Sequence, residues 1–322
     1  MFKIERRKLR CEMSVIEVEK LTKDYGFGRG VFDVSFKIDK GEVFGFLGPN
    51  GAGKSTTIRH LMGFSKPQSG TTKIFGKDTF DKYYEVLKSV GYIPGEIALP
   101  QGLTGWDFIS MMQSLQGKKN DELLKELLEI FELGDKELKG ETKRMSLGVK
   151  RKLAIVTAFM SDPDVLILDE PTSGLDPVMQ EVFVEYIKQE KERGKTILLS
   201  SHIFSEVDAT CDRIAIIKDG RIVSEFVAND LKHATTKFYE VHFEGDGEAK
   251  RFYGENKSSK VLKILDKDFE KNSVFISTND KDINKVIEIF NSYIITDFSN
   301  HKETLEDYFM KFYKEDKDFG GV

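Results

Sequence analysis

Runs of apolar residues along the chain predict several short buried strands, each followed by a polar turn. Residues 42–47 (EVFGFL) form one such run, and residues 165–168 (VLIL) and 196–201 (TILLSS) form two more. Continuous apolar runs of this length are typical of strands that are buried on both faces of a sheet. We therefore expect these strands to share one mainly parallel sheet in an α/β fold.

Two further strands are predicted where apolar and polar residues alternate, at residues 15–21 and 31–38. Residues 104–133 have helical periodicity instead, and their apolar positions fall near one face in each of two segments. Those positions are Trp106, Ile109, Met112, Leu115, Leu123, Leu124, Leu127, Leu128 and Phe131. We interpret this stretch as amphipathic helices of an inserted helical subdomain at about residues 96–162. Its apolar face is most simply core, although a Met-rich face also suits a docking helix.

The pattern changes beyond residue 220. Three short strands and one helix are expected there, at residues 238–245, 273–279, 293–300 and 282–290 respectively. A final helix is expected from Asn300, with Glu303 three residues later as in a capping box. It would present one apolar face, formed by Leu305, Tyr308, Phe309 and Phe312. These elements predict a small α+β accessory domain at residues 226–322.

Composition and charge limit the classes of protein to which the chain can belong. Charged residues make up 32% of the 322 residues, and the formal net charge is −5. This balance is typical of a soluble cytosolic protein and gives no general attraction to nucleic acid. The longest apolar run, at residues 153–160, is far shorter than the about 20 residues of a membrane-spanning helix. If the protein works at a membrane, we expect another chain to span it.

The two cysteines and the N-terminal segment give little evidence of further chemistry. Cys11 and Cys211 form neither a metal-binding spacing nor a disulfide framework, which is typical of a reducing compartment. Residues 1–13 form a basic tail, and no apolar segment follows it as in a secretory signal. We interpret this segment as a short solvated tail. A membrane-surface anchor, or a true start at Met13, are the alternatives.

The clearest candidate chemistry lies at residues 48–56 (GPNGAGKST), between a predicted strand and a stretch with helical spacing. This segment fits the phosphate-binding pattern G-x-x-x-x-G-K-S/T and predicts a P-loop NTPase core. Glycines allow successive backbone N–H groups to face phosphate oxygens, and the following helix adds the positive end of its dipole. The Lys54 ammonium can then reach the β- and γ-phosphates, and the Ser55 hydroxyl can bind Mg²⁺. The alternative, a glycine-rich turn before an ordinary helix, is disfavoured by this intact context.

Polar side chains follow two of the other predicted strands. Asp169 and Glu170 come directly after one strand, and His202 follows the next. At the carboxyl ends of strands in one sheet these groups would face the same crevice. There one acid can hold the water shell of Mg²⁺ and the other can polarise an attacking water molecule. Two acids at a buried strand end would be costly without a cation, whereas a lone histidine is more often structural or solvated.

Two further residues are candidates for nucleotide binding only when they are considered together with these motifs. Ser146 follows a short polar loop and is expected at or near a helix N-cap, where its hydroxyl and free backbone N–H groups can face an anion. Tyr25 precedes the P-loop, and its ring could stack on an adenine. An isolated tyrosine is more often simply packed.

Taken together, Tyr25 and the motifs GPNGAGKST, MSLGVKRK, LILDEP, SGLD and SSH resemble, in this order and spacing, the nucleotide-binding subunit of an ABC transporter. The resemblance covers about residues 14–225 and implies an ABC ATPase domain there. It implies that two such domains, most simply in a homodimer, pack head to tail and bind two ATP molecules at their interface. It also implies a separate polytopic membrane permease, which would hold the protein at the inner face of the cell membrane.

The resemblance further implies which residues bind the nucleotide. Phosphates and Mg²⁺ would be held by Gly48, Asn50, Gly51, Gly53, Lys54, Ser55 and Thr56. Tyr25 would lie on the adenine ring. Asp169 would hold Mg²⁺ through water, and Ser55 would bind it directly.

The remaining motif residues would act on the γ-phosphate or across the dimer. Glu170 would be the general base for the attacking water, and His202 would bond to the γ-phosphate and sense it. Asp176 would communicate across the dimer. Ser146 and Gly148 would reach the γ-phosphate of the ATP molecule bound by the opposite subunit.

Two positions depart from the family pattern. Leu147 stands where the signature L-S-G-G-Q has its first glycine, a change also familiar in the exporter branch with lysine-rich signature helices. Gly95 stands where the loop after G-Y-x-P normally carries a glutamine, and it has no side chain that could bind Mg²⁺ or the attacking water. Glu96 or a water molecule would have to substitute.

The last predicted helix carries the motif L-E-D-x-F at residues 305–309. This motif is similar to one in the C-terminal extension of ABC subunits of drug, antibiotic-resistance or bacteriocin-immunity exporters. We therefore expect an ATPase that energises export of drugs, peptides or other amphipathic compounds. The alternative is a soluble ABC-type ATPase acting on ribosomes or nucleic acid. Such proteins usually carry two nucleotide domains or a long coiled coil, which this sequence lacks, and its negative charge argues against nucleic acid. A dimerisation or regulatory role for residues 226–322 is a hypothesis, and a domain that only caps the core is its alternative.

Overall fold

The computed structural model describes residues 14–232, 236–301 and 304–314. The basic tail, with the alternatives for Met13, lies outside the described residues. The described chain divides into two compact units, one ending at Val227 and the other starting at Ala228. The first unit has two sheets and the second has one, and each unit has its own hydrophobic core.

The first unit is built on two sheets. Its strands are β1 (Ser14–Asp24), β2 (Gly30–Asp39), β3 (Val43–Leu47), β4 (Ser69–Ile74), β5 (Lys77–Asp78), β6 (Val90–Ile93), β7 (Val165–Asp169), β8 (Thr196–Ser201), β9 (Arg213–Lys218) and β10 (Arg221–Val227). One sheet has the order β10-β9-β3-β8-β7-β6, in which only β10 pairs antiparallel with its neighbour. The other sheet, β2-β1-β4-β5, is antiparallel. The mainly parallel six-stranded sheet confirms the predicted α/β class.

Helices connect the parallel strands and form the insertion expected between β6 and β7. They are α1 (Lys54–Leu61), α2 (Tyr83–Val86), α3 (Gly105–Gln116), α4 (Asp121–Ile130), α5 (Asp135–Leu138), α6 (Leu147–Phe159), α7 (Pro177–Glu192) and α8 (Phe204–Thr210). Single 3₁₀ turns occur at Leu87–Ser89 and Thr142–Arg144. The insertion begins with a capping box, because the Thr104 hydroxyl accepts from the Asp107 N–H and the Asp107 carboxylate accepts from the Thr104 N–H. The prediction that Leu115 faces the core is wrong: it is 73% exposed, and Phe108 is buried on α3 instead.

The core of the first unit lies between its two sheets, around α1. Phe36 of β2 stacks on Phe44 of β3 with ring centroids 5.1 Å apart. On the other side of β3, a Cβ at Gly45 would lie 2.8 Å from Cγ1 of Val207 in α8 and 3.0 Å from the Cys211 sulfur. Glycine therefore allows α8 to pack directly on β3, and this packing fixes the strand end from which the P-loop starts.

The second unit is a sheet of four antiparallel strands with the chain order βαββαβ. Its elements are α9 (Ala228–Lys232), β11 (Thr236–Phe243), α10 (Asp246–Asn256), β12 (Leu262–Asp268), β13 (Ser273–Asn279), the 3₁₀ turn Asp280–Asp282, α11 (Ile283–Phe290), β14 (Ile295–His301) and α12 (Leu305–Lys314). The strand order β12-β13-β11-β14 is that of a ferredoxin-like split βαβ fold. The predicted α+β class is therefore correct, but α10 and β12 were not predicted.

The predicted start of the final helix at Asn300 is wrong. Asn300 belongs to β14 and lies opposite Tyr239, so strand pairing occupies its backbone. Thr304 starts α12 instead, because its hydroxyl accepts from the Asp307 N–H at 3.1 Å and the Asp307 carboxylate accepts from the Thr304 N–H at 3.0 Å. Glu303, the other member of the predicted box, lies outside the described residues. The predicted apolar face of α12 is correct, since its members are buried or half-buried.

Candidate active site

The P-loop connects β3 to α1 and needs glycine for steric reasons. Gly51 and Gly53 have φ angles of 85° and 111°, in the region that side chains disfavour. A Cβ at Gly53 would also lie 2.8 Å from Cγ1 of Val31, and one at Gly48 would lie 2.5 Å from the Ile217 carbonyl oxygen. The loop is therefore packed against β2 and β9, and only glycine fits at these positions.

Lys54, the first residue of α1, brings its ammonium back over this loop. Its side chain is 5% exposed, and its Nζ donates to the carbonyl oxygens of Gly48 at 2.5 Å and Pro49 at 3.3 Å. The Nζ atom also lies 3.1 Å from Glu170 Oε1. This contact is an ion pair without hydrogen-bond geometry, because Oε1 has no hydrogen-bond partner among the described residues. The lysine thus links the phosphate-binding loop to the end of β7.

Several other predicted phosphate ligands are open to solvent at the start of α1. Asn50, Gly51 and Ser55 are exposed, and Thr56 is half-buried. Because the first backbone N–H groups of a helix have no partner within the helix, they are free to bind an anion. The accessible hydroxyl of Ser55 lies on this first turn.

The two acids at the end of β7 have different surroundings. Asp169 is buried, and its Oδ1 accepts a hydrogen bond from the Ser200 hydroxyl at 2.9 Å. Glu170 has a left-handed backbone with φ of 48°, which disfavours a residue with a side chain. Its N–H donates to the Ser200 carbonyl oxygen at 2.9 Å, so β8 supports both acids. The sequence contained Ser200 in the SSH motif, but its support of Asp169 was not predicted.

His202 lies at the other side of Glu170. Its Nδ1 is 2.5 Å from Glu170 Oε2. Because a carboxylate oxygen accepts, Nδ1 is the donor in this hydrogen bond. About half of the imidazole is exposed, so Nε2 remains available to a ligand. Lys54, Glu170 and His202 therefore meet at one point, as the sequence predicted for the strand ends.

Glu206 supports the histidine loop from inside the protein, a role that sequence reasoning missed. The Ser201 hydroxyl donates to Glu206 Oε2 at 2.6 Å and accepts from the Ile203 N–H at 3.0 Å. Burial raises the pKa of Glu206 to about 7, against the opposing effects of Ser201 and Thr172, whose side chains stabilise the charged form. Its Oε1 has no hydrogen-bond partner of good geometry in the described chain.

Tyr25 lies in the turn between β1 and β2, and half of its surface is exposed. Its N–H donates to the Arg29 carbonyl oxygen at 2.8 Å, which closes the turn. The turn leads into Gly30, whose carbonyl oxygen would lie 3.2 Å from a Cβ at Gly53. The strand that follows Tyr25 therefore starts directly beside the P-loop.

Ser146 and Asp176 both cap helices, and Ser146 does so as predicted. The Ser146 hydroxyl accepts from the Val149 N–H at 3.3 Å at the start of α6, and Asp176 accepts from the Met179 N–H at 3.1 Å at the start of α7. A Cβ at Gly148 would lie 3.2 Å from the Gly174 carbonyl oxygen. Across the described residues, no hydrogen bond or ion pair joins Ser146 or Gly148 to the P-loop of the same chain.

Gly95, which departs from the family pattern, lies close to Asp169. A Cβ at Gly95 would lie 3.2 Å from Asp169 Oδ2, a tight contact, so the loop after β6 lies closely against the buried acid. Glu96, the predicted substitute, is exposed. The backbone of the loop, rather than a side chain at position 95, therefore approaches Asp169.

The residues predicted to hold Mg²⁺ carry donor atoms that suit a hard cation. Ser55 and Asp169 offer oxygen atoms, which Mg²⁺ prefers. In residues 14–232, 236–301 and 304–314, three or more His, Cys, Asp or Glu side chains nowhere form a metal-binding group. Few protein ligands combined with substrate phosphates are what Mg²⁺ uses in nucleotide sites, so the residues fit this ion.

Comparison with known proteins decides the family. The model of the ABC transporter family matches residues 31–173. The bacitracin transport ATP-binding protein BcrA of Bacillus licheniformis is 36% identical over 237 residues, which cover 73% of this chain and 77% of that protein. The chain belongs to the ABC transporter ATP-binding proteins. Its enzymatic class is therefore that of the ABC ATPases.

Two further comparisons extend this result. The BcrA protein of Enterococcus faecalis is 31% identical over 304 residues and covers 92% of this chain, so the similarity includes most of the second unit. A solved structure of the ATP-binding subunit of an ABC transporter, 32% identical, superposes with a TM-score of 0.63 over 68% of this chain and 92% of its own. Among the described helices, none has the length and apolar character needed to cross a membrane.

Proposed function

We propose that the protein is the ATP-hydrolysing subunit of an exporter and that it energises a separate polytopic membrane permease. The observation that carries this proposal is the meeting of Lys54, Glu170 and His202 beside the P-loop. The names of the relatives support the transport role, since BcrA is a bacitracin transport protein. A daunorubicin/doxorubicin resistance ATP-binding protein of Streptomyces peucetius is also 37% identical over 220 residues. Drugs, peptides or other amphipathic compounds are therefore the proposed cargo.

In the proposed site, the P-loop residues bind the phosphates of ATP and Tyr25 lies on the adenine. Ser55 would bind Mg²⁺ and Asp169 would hold it through water. When bound, this ion would neutralise charge on the phosphates. Lys54 would leave Glu170 to contact the β- and γ-phosphates, because its flexible stem already spans the loop.

Glu170 would then take a proton from the attacking water, as a general base within hydrogen-bond distance of it. His202 would donate to Glu170 through Nδ1 and, with a hydrogen on Nε2 as well, would donate to the γ-phosphate through Nε2. Both residues come from neighbouring parallel strands, β7 and β8, so their separation is set by the sheet. The site therefore needs no backbone rearrangement to present base and sensor together.

We also propose that two copies assemble head to tail, with Ser146 and Gly148 of each copy at the γ-phosphate of the other. Both residues lie at the start of α6, where free N–H groups favour an anion. Asp176, at the start of α7, would connect the two sites. The permease would hold this dimer at the cytoplasmic face of the membrane. Residues 226–322 would be an accessory domain with a dimerisation or regulatory role.

The experiment that tests the function is affinity purification of the protein from detergent-solubilised membranes of its own cell. We expect a polytopic membrane protein in stoichiometric amount, identified by mass spectrometry. Recovery with ribosomes or nucleic acid from the soluble fraction would favour the alternative, a soluble ABC-type ATPase. The relatives give that alternative no support, and the net charge of −5 argues against it.

A further inference from the structure

Arg151 is the largest fully buried side chain of the described residues, with 1% of its surface exposed. It lies on α6, about one helical turn beyond Ser146 and Gly148. Its guanidinium donates three hydrogen bonds, each 2.8 Å long, to backbone carbonyl oxygens. Nε donates to Ser173, Nη1 to Pro94 and Nη2 to Gly95. One planar side chain therefore fixes two loops that are distant in the sequence.

These two loops flank the acids of the active site. Pro94 and Gly95 follow β6, and a Cβ at Gly95 would come within 3.2 Å of Asp169 Oδ2. Ser173 follows Glu170 by three residues, and its N–H donates to the Glu170 carbonyl oxygen at 3.1 Å. The guanidinium thus holds the backbone beside Asp169 on one side and the turn after Glu170 on the other.

Burying the positive charge of Arg151 at this position costs free energy. Burial lowers the pKa of Arg151, and the charges of Asp169 and Glu170 oppose that effect only in part. Its three described acceptors are neutral carbonyl groups, so no carboxylate directly neutralises it. Apolar side chains often stabilise a core at least as well as buried charges do. The charge is therefore better explained by the loops that it positions.

The same helix packs its first turn onto one of these loops. A Cβ at Gly174 would lie 2.7 Å from Cγ of Leu147, and a Cβ at Gly148 would lie 3.2 Å from the Gly174 carbonyl oxygen. The start of α6 and the turn after Glu170 are thus in direct contact. A shift of that turn would move Ser146 and Gly148 as well.

We propose that Arg151 is a positioning residue that couples the two ATP sites of the dimer. It ties the loops beside Asp169 and Glu170 to the helix whose first turn serves the opposite site. This inference rests on the proposed function, because Ser146 and Gly148 reach a second ATP only in a head-to-tail dimer. It also explains how the loop at Gly95 is held without a side chain at that position.

The first test is Arg151→Lys, which keeps the positive charge but cannot match three carbonyl oxygens with one ammonium. We expect nucleotide affinity and KM within about threefold of the unmutated protein and kcat lower by roughly 10- to 100-fold, as for misplaced catalytic groups. Lys152→Gln, on the same helix, is the matched control and should leave both constants unchanged. Arg151→Gln, with two remaining donors, is the second variant if the lysine variant does not fold. An unchanged kcat in a folded Arg151 variant would overturn the positioning role.

The coupling is tested in mixed dimers purified through two different tags. One subunit carries Glu170→Gln together with Arg151→Lys, and the other is unmutated. Hydrolysis can then occur only on the P-loop of the unmutated subunit, which uses Ser146 of the mutated one. We expect turnover about tenfold below that of a mixed dimer with Glu170→Gln alone, since each site would depend on Arg151 of both chains. Equal turnover in the two mixed dimers would overturn the coupling.

Failure of the proposed function would give a different result from failure of the proposed role of Arg151. Chains that carry Glu170→Gln alone would then not dimerise with ATP, although Arg151 is intact in them. The control dimer therefore separates a missing head-to-tail assembly from a missing role of Arg151.

Discussion

Glu170 is held in place by its neighbours against its own backbone preference. Its φ of 48° is unfavourable for a residue with a side chain, and strain of this kind costs about 1–3 kcal/mol. The hydrogen bond from its N–H to Ser200 and the contacts of its carboxylate with Lys54 and His202 offset this cost. A base fixed in this way loses little freedom when the substrate binds.

At the residue scale, the sequence predicted the candidate site residues, because their types and order form known motifs. It could not predict the residues that hold them. Ser200 and Glu206 support Asp169 and the His202 loop through contacts that depend on the packing of β8 and α8. Arg151 reads in the sequence as one of three consecutive basic residues, and nothing in that run indicates that only the middle one is fully buried.

The buried carboxyl of Glu206 should make stability depend on pH. Its pKa is raised from 4.5 to about 7, so the folded state binds more protons than the unfolded state between these values. Stability contributed by the protonated form is therefore present below about pH 4.5 and lost as pH rises towards and through 7, by about 3 kcal/mol in total. In Glu206→Gln we expect the unfolding midpoint to fall less between pH 5.5 and pH 8 than in the unmutated protein. Identical pH slopes in thermal unfolding of the two proteins would contradict this prediction.

At the scale of elements, burial decided what could be predicted. The strands β3, β7 and β8 are buried on both faces and were identified from apolar runs. In α10 only Ala249, Phe252 and Asn256 are buried, and in β12 only Leu262 is, so few buried apolar positions mark either element in the sequence. Their formation depends on pairing and packing within the second unit, which a single segment does not reveal.

The loop after β6 should not tolerate a side chain at position 95 without loss. In Gly95→Ala the new methyl would lie 3.2 Å from Asp169 Oδ2, so the carboxylate would have to move. We expect the Mg²⁺ concentration for half-maximal ATPase activity to rise severalfold, which corresponds to about 1 kcal/mol. Gly95→Gln carries the same crowding and would recover activity only if its amide contacts the ion or the attacking water. Gly254→Ala, whose methyl would meet nothing within 4 Å, is the control, and an unaltered Mg²⁺ dependence in Gly95→Ala would refute the crowding.

At the scale of the whole molecule, the two units have separate cores. The cluster between the two sheets contains residues up to Ile217 with Ile222 packed against it, and the cluster of the second unit starts at Tyr239. The sequence predicted a change of domain at residue 226, and the boundary along the chain between the two compact units falls two residues later, after β10. The role of the second unit could not be derived from its residues, because none of the nucleotide-binding or catalytic motifs lies in it.

Removal of residues 228–322 tests that role. We expect the remaining unit to fold and to bind ATP with an affinity within about threefold of the full chain, because the P-loop contacts among the described residues lie in the first unit. If the second unit supports assembly or regulation, ATP-dependent dimerisation or permease-coupled ATPase activity should change in the truncated protein. Unchanged values of both would favour the alternative, in which the second unit only caps the core.

The central claim is that Glu170 is the base of an ATP site that is completed by a second copy of the chain. The most direct measurement is the mass of the Glu170→Gln protein with ATP and Mg²⁺, by light scattering, together with its turnover. We predict a stable ATP-bound dimer of twice 36.7 kDa and turnover lower by roughly 10²- to 10⁴-fold, the range for a general base. A monomer with bound ATP, or turnover equal to that of the unmutated protein, would contradict the claim.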